Sequence, residues 1–226
     1  MSKINKSTFK FLSDLKKNNN REWFNDNKPV YEEARENFEE FIANLISNIS
    51  KFDPPIAGLN PRKCIFRIYR DVRFGKNKTP YKINLGAHLS PHAAQLHDRA
   101  GYYIHLEPNK SFLAGGAYLP PVPWLNAIRY EINRNSKELK KIINSKSFKN
   151  YFGELEGEKL KSAPRNYPKD HPEIELLKFK SYLAVHKVSN KEVLSDNFLQ
   201  YSTKIFKALH PFDNFLNIAI ENHQYG

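Results

Sequence analysis

The sequence predicts an α+β fold, with an antiparallel β-meander in the middle of the chain and N- and C-terminal helices packed on the sheet. In the first and last thirds of the 226 residues, apolar side chains recur at three- and four-residue steps. This spacing is typical of amphipathic helices. In the middle, apolar and polar residues alternate, which is typical of strands. Helices before and after a meander are expected to cover one of its faces.

The first third predicts three helical segments. Ser7 is a suitable N-cap for the first, and the Asn run at residues 18–20 ends it. A short second segment spans residues 21–27. Pro29 suits the start of the third, which residues 53–55 end with Asp-Pro-Pro. The apolar face of this third helix consists of Tyr31, Ala34, Phe38, Phe41, Ile42, Leu45 and Ile49.

The middle predicts four consecutive strands at residues 66–74, 83–89, 102–107 and 111–118. A polar turn at residues 75–80 joins the first two. Arg70 interrupts the apolar side of the first strand, which indicates a bulge or a sheet edge. Short turns between consecutive strands make the arrangement antiparallel.

The last third returns to helices. Residues 125–143 predict one helix with a continuation, and residues 153–172 are irregular, with several Gly and Pro. A further strand is expected within residues 179–188. Residues 193–209 predict a helix that Pro211 ends, and a short final helix follows.

Composition predicts a single domain over residues 1–226, since 40% hydrophobic residues suffice for a core. One cysteine, Cys64, excludes an intrachain disulfide. The N-terminus lacks a signal-peptide pattern, and no run of roughly 18 apolar residues predicts a membrane span. We therefore expect a soluble, cytoplasmic protein without a membrane partner. The net charge of +12 favours anionic partners, although Lys-rich helix surfaces also produce such a surplus.

One face of the predicted sheet is rich in groups that bind or titrate. Alternate residues of a strand share a face, so the polar positions of the first three strands are expected to lie together. They are Arg67, Tyr69, Asp71, Arg73, Lys82, Asn84, His88, Tyr103, His105 and Glu107. Gly86 lies in mid-strand, where glycine weakens a sheet unless something approaches the backbone closely.

These residue types predict a cationic pocket for a phosphorylated or carboxylated small molecule. Arg forks and Lys point charges are typical anion ligands. Arg67, Arg73 and Lys82 are expected to bind the anion, with Arg70 and Asp71 beside them and Lys78 at the rim. Tyr69 and Tyr103 would flank the apolar part of the ligand. His88, His105 and Glu107 would orient it, or act as acid and base if the protein is an enzyme.

Other chemistries receive less support. His88, His105, Glu107 and Asp71 are residue types that bind metals, but the neighbouring cations oppose a divalent ion, so no metal site is predicted. The sequence has no GxxxxGK[ST], GxGxxG, HExxH or GxSxG pattern. It therefore names no cofactor, and whether the protein is an enzyme stays open.

Three alternatives to the anion pocket remain. The same face, with Tyr69 and Tyr103 as stacking surfaces, suits a nucleic-acid-binding module. Trp23 and Phe24 suit a protein-interaction module, although core packing is the favoured explanation for them. Cross-strand ion pairs on a solvated sheet face are the non-functional alternative.

Several segments together resemble a known family. They are the block CIFRIYRDVRFGKNKTPYK at residues 64–82, NNNREWF at residues 18–24, GYYIHLEP at residues 101–108, the pair Gly115-Gly116 and LKSAP at residues 160–164. They resemble domain of unknown function 2461, a largely bacterial family, over almost the whole chain. Gly75 stands where the family pattern usually has Ser. The resemblance implies a single compact domain and supplies no activity.

Overall fold

The computed structural model describes residues 2–73, 76–91 and 99–224. The predicted α+β class is confirmed, because helices precede and follow a four-stranded antiparallel sheet. The helices are α1 (Lys6–Lys17), α2 (Arg21–Asp26), α3 (Lys28–Ile49), α4 (Pro61–Cys64), α5 (Val122–Ile143), α6 (Lys146–Phe152), α7 (Ile174–Leu177), α8 (Asn190–Val193) and α9 (Phe198–Gln224), with a 3-10 turn at Pro54–Ile56. The strands are β1 (Leu85–Leu89), β2 (Gly101–Leu106), β3 (Phe112–Ala117) and β4 (Tyr182–Lys187), in that order across the sheet.

The three N-terminal helices form where the apolar spacing predicts them. The N-cap of α1 is Asn5, so the assignment of this role to Ser7 is wrong. Asn20 caps α2, since its side-chain oxygen accepts a hydrogen bond from the backbone N–H of Trp23 at 2.9 Å. Pro29 lies in the first turn of α3, as expected.

The predicted first strand is the main correction to the sheet. Residues 66–73 contain no regular strand, and Phe74 lies outside the described residues. Two isolated antiparallel bridges, Ile65 to Ala87 and Tyr69 to Tyr81, hold this segment instead. The bridges are four residues apart on one segment and six on the other, because the chain bends at residues 83–84. These two extra residues prevent a continuous ladder. The fourth strand of the sheet is β4, which lies within residues 179–188.

Helix α9 continues through Pro211, so the predicted stop at this residue is wrong. A proline inside a helix costs about 3 kcal/mol. Leu209 and Phe212 on either side of it are fully buried, as is Leu216 one turn further on. Burial of a large apolar side chain contributes about 1.5–3 kcal/mol, so three such residues outweigh the cost.

The described residues group into two compact units. The first comprises those of residues 1–89, 103–113 and 187–204, and the second those of residues 90–102, 114–186 and 205–226. In the first, α3 packs on β1, and the ring of Phe41 stacks on Phe198 with centroids 5.3 Å apart. In the second, the ring of Phe206 on α9 contacts Tyr102 at 5.2 Å. The single domain over residues 1–226 stays a prediction.

Among the described helices, none combines the length and the apolar character that crossing a bilayer requires.

Candidate functional site

The centre of the candidate site is a row of three polar side chains on one face of β2 and the residue that follows it. The hydroxyl of Tyr103 lies 3.0 Å from Nδ1 of His105. Nε2 of His105 lies 3.4 Å from Oε2 of Glu107. The side chains of His105 and Glu107 are only 15% and 13% exposed. The period-two pattern predicts this row, because β2 is a regular strand.

Aromatic rings enclose the row. Phe112 of β3 stacks on the imidazole of His105 at 4.6 Å and contacts the ring of Tyr103 at 5.6 Å. Phe66 contacts Tyr103 at 6.1 Å. The amide nitrogen of Asn84 lies 3.4 Å from Nδ1 of His105. The polar row therefore lies in a mostly apolar surrounding, in which electrostatic interactions are strong.

Gly86 has a structural explanation. A Cβ atom on this residue would lie 2.8 Å from the hydroxyl oxygen of Tyr103. The group that approaches the backbone at Gly86 is thus the phenol of Tyr103. Because Gly86 has no side chain, the phenol of Tyr103 can pass over β1 at this point and reach its position beside His105.

Burial decides the protonation states of Tyr103 and His105. Burial lowers the pKa of His105, and its hydrogen bond with Glu107 only partly opposes this shift. The imidazole is therefore neutral at pH 7. Since a carboxylate accepts hydrogen bonds only, Nε2 carries the proton and Nδ1 accepts one from the hydroxyl of Tyr103. Burial raises the pKa of Tyr103 to about 12, so its phenol is also neutral.

This arrangement can move a proton. The lone pairs of the Tyr103 oxygen can accept a proton from a bound hydroxyl or amine while the phenol passes its own proton to Nδ1 of His105. Glu107 would then stabilise the imidazolium that forms. The same logic of a base oriented by a carboxylate applies in general acid–base catalysis.

Two cations border the row. The ammonium group of Lys82 lies over the ring of Phe66, 5.4 Å from its centroid. Burial lowers the pKa of Lys82, and the charge of Arg67 lowers it further. In the described part of the chain, no carboxylate lies at ion-pair distance from either cation. Arg67 interacts at longer range with the carboxylate of Asp71, which is hydrogen-bonded to Arg73, so the repulsion between Lys82 and Arg67 is only partly compensated.

The other predicted cations are held within their own loop. Arg73 binds Asp71 through two hydrogen bonds of 3.0 and 2.7 Å, and this contact lowers the pKa of Asp71. The ammonium group of Lys78 donates to the carbonyl of Val72 at 2.9 Å and to that of Arg73 at 3.5 Å. A further contact joins the guanidinium of Arg70 to the hydroxyl of Thr79. These contacts stabilise the loop, so the predicted anion ligands lie in two different surroundings.

The regular first strand that would align these residues on one sheet face is absent from residues 66–73. Tyr69 is exposed and contacts the rings of Phe24 and Tyr81, whereas Tyr103 contacts Phe66 and Phe112. That Tyr69 and Tyr103 flank one ligand stays a prediction.

His88 does not lie on an open surface, because every residue of β1 is buried and His88 is 7% exposed. The contacts among Tyr103, His105 and Glu107 are made without it. The prediction of an outward-facing His88 assumed that one face of the sheet is solvated, and burial on both faces of β1 removes that assumption.

Sequence reasoning missed Phe66 and Phe112 as walls of the site. It assigned Phe66 to the core side of a regular strand, and the irregular pairing of residues 65–70 invalidates that assignment. The position of Phe112 beside the row could have been predicted from the sequence. Phe112 is the first residue of the strand that follows β2, and short connections place consecutive strands side by side.

The second unit contains a separate cavity of about 470 Å³, lined among others by Ile143, Lys149, Leu176 and Phe179. None of the predicted site residues lines it. At its wall Lys159 already pairs with Glu175 at 3.0 Å. Its lining carries three glutamates, Glu154, Glu156 and Glu175, against two lysines, so this cavity does not favour an anion.

No group of three or more His, Cys, Asp or Glu side chains among the described residues is arranged to hold a metal ion.

Comparison with protein-family models identifies the class of the chain. Residues 7–215 match the model described as Conserved hypothetical protein (DUF2461). The protein belongs to this family, as its sequence segments predicted. No curated protein and no solved structure matches the chain.

Proposed function

We propose that the protein binds a phosphorylated or carboxylated small molecule beside the row of Tyr103, His105 and Glu107. The observation that carries the proposal is the pair of Lys82 and Arg67. In the described residues neither cation has a carboxylate at ion-pair distance, and Lys82 has a lowered pKa. An anion between them would offset their repulsion and the desolvation of the ammonium group.

In this proposal the anion contacts belong to Lys82 and Arg67 and no longer to Arg73. The guanidinium of Arg73 already has a carboxylate 2.7 Å away in Asp71. Tyr103 would contact the remainder of the ligand, with His105 and Glu107 fixing the direction of the hydrogen bonds. The relay of these three residues supports proton transfer to or from a ligand hydroxyl or amine.

The test is a thermal-shift titration with inorganic phosphate and with citrate. The proteins compared are the wild type, Lys82→Gln, Arg67→Gln and the matched control Lys16→Gln. Lys16 is an exposed cation on α1, so this control changes the net charge equally. A ligand at roughly 100 times its Kd stabilises a protein by about 2.7 kcal/mol, which for this length corresponds to about 5–10 °C.

We expect at least one of the two anions to stabilise the wild type and Lys16→Gln, and to stabilise Lys82→Gln and Arg67→Gln much less. Equal shifts in all four proteins would mean that the anion acts through net charge alone, and the proposal would fail. It would also fail if neither anion stabilised the wild type.

A further inference from the structure

Tyr69 is an exposed member of a cluster of aromatic rings in the first unit. Its residue surface is 51% exposed. Its ring lies in edge contact with Phe24 at 6.1 Å and contacts Tyr81 at 5.5 Å. The ring of Tyr31 lies 5.2 Å from that of Phe24. We call these four residues the Tyr69 platform.

The platform is rigid for a surface feature. The rings of Phe24 and Tyr81 stack with centroids 3.9 Å apart and planes 15° from parallel. Asn19 holds the backbone of Tyr81 from both sides. Its amide donates to the carbonyl at 3.0 Å, and its oxygen accepts from the N–H at 3.1 Å. A backbone bridge joins Tyr69 to Tyr81. A ligand that stacks on Tyr69 would therefore order few additional groups.

Two arginines border the platform. Arg35 follows Tyr31 by four residues on α3, and Arg21 precedes Phe24 by three on α2, so each pair shares a helix face. Both arginines are exposed, and within the described ranges neither has an ion-pair partner. Their charges lower the pKa values of the phenols beside them, although burial outweighs this effect.

We propose that the Tyr69 platform binds a nucleobase together with its phosphate. The base would stack on the exposed ring of Tyr69, and Arg21 and Arg35 would bind the phosphate. Every nucleobase has a π-face that stacks on tyrosine, and guanidinium groups bind phosphate through paired hydrogen bonds. A single exposed aromatic residue needs no functional explanation. The combination with two arginines that lack carboxylate partners does.

The test measures binding by isothermal titration calorimetry with three probes at low salt. AMP carries base and phosphate, ribose 5-phosphate carries phosphate without a base, and a short oligothymidylate presents the same groups in a single strand. We expect Tyr69→Ala to weaken the binding of AMP, or of the oligothymidylate, about fivefold or more. Tyr69→Phe keeps the ring and should bind normally. The wild type and Tyr69→Ala should bind ribose 5-phosphate with the same affinity.

The matched controls lie in the second unit. Tyr118 is 56% exposed, so Tyr118→Ala removes an equally exposed ring and should leave binding unchanged. Arg35→Gln should weaken the binding of AMP and ribose 5-phosphate together, whereas Arg165→Gln, also at an exposed position, should not. Far-UV circular dichroism and thermal melts verify that each variant is folded.

Every result bears on the proposal. Tyr69-dependent binding of AMP supports a free nucleotide as ligand, and Tyr69-dependent binding of the oligothymidylate alone supports a single strand. If neither probe binds, or if Tyr69→Ala and Tyr118→Ala behave alike, the proposal is overturned. Loss of AMP binding in Lys82→Gln but not in Tyr69→Ala would also overturn it and would instead favour the anion site at Lys82. The two proposals therefore fail separately.

Discussion

The phenol of Tyr103 passes so closely over Gly86 that a Cβ atom on Gly86 would lie 2.8 Å from its hydroxyl oxygen, while the ring carbons would be 3.4 Å away. The hydroxyl alone thus makes the contact too short. Since Tyr103 also contacts His105 and Phe112, its ring has little freedom to move aside.

A double-mutant cycle tests this relationship. Gly86→Ala should destabilise the wild type by about 1–3 kcal/mol, because it forces an overpacked contact. In the Tyr103→Phe background the same substitution should be neutral or stabilise by about 0.4–1 kcal/mol, because alanine restricts the unfolded chain. Urea unfolding of the four proteins gives the coupling free energy. Additive effects would contradict the geometry.

The burial of His105 predicts a pH dependence of stability. Its pKa in the folded protein lies below the ordinary 6.5, so the unfolded chain takes up the proton first as the pH falls. The contribution of His105 is therefore complete above about pH 6.5 and decreases progressively as the pH falls below it. Urea unfolding at several pH values should show that His105→Gln loses less stability on acidification than the wild type. An equal loss in both proteins would show that other groups cause it.

Glu107 affects the pKa of His105, and the direction of this effect can be measured. Its hydrogen bond and charge raise the pKa of His105 against the larger effect of burial. Glu107→Gln removes the charge, so the pKa of His105 should fall further. NMR titration of the imidazole resonances in wild type and variant measures this shift. An unchanged or higher pKa in Glu107→Gln would exclude the hydrogen bond at Nε2.

Part of this site follows from the sequence and part does not. Strict alternation predicts the row of Tyr103, His105 and Glu107 because β2 is regular. It also predicts the exposure of Arg67 and Tyr69, which the structure has. It does not predict that residues 65–69 pair with residues 81–87 through only two isolated bridges, because the bend at residues 83–84 inserts two residues between them. A local period contains no information about such an insertion in the neighbouring segment.

The same limit applies to the rest of the fold. Helix positions follow from three- and four-residue spacing, which is local. The continuation of α9 through Pro211 depends on the burial of Leu209 and Phe212, which is decided by segments distant in sequence. The aromatic platform depends on contacts of Tyr69 with α2, and no periodicity in either segment indicates that they meet.

The loop that holds Asp71 and Arg73 gives a prediction on anion binding. Asp71→Asn removes the carboxylate that neutralises Arg73, and should therefore strengthen phosphate binding at the neighbouring Lys82 and Arg67 by up to about fivefold. Asp14→Asn is the control, because Asp14 also pairs with a cation, Lys10 on α1, and changes the net charge equally. Calorimetric titration with phosphate compares them. A similar gain in both variants would assign the effect to net charge.

Arg129 in the second unit is a buried cation with a structural role. The residue is 7% exposed, and its guanidinium donates to the carbonyl of Leu177 at 2.8 Å and to that of Phe179 at 3.1 Å. Arg129→Met leaves two acceptors without donors and should reduce the free energy of unfolding by about 2–4 kcal/mol. Arg129→Lys should recover little of this loss, because one ammonium group does not reproduce the planar fork. Arg165→Met, at an exposed position of the same unit, should change stability by about 0.5 kcal/mol or less. Urea unfolding measures the free energy of unfolding of all three variants. Full wild-type stability in Arg129→Lys would show that the positive charge, rather than the planar guanidinium, stabilises this region.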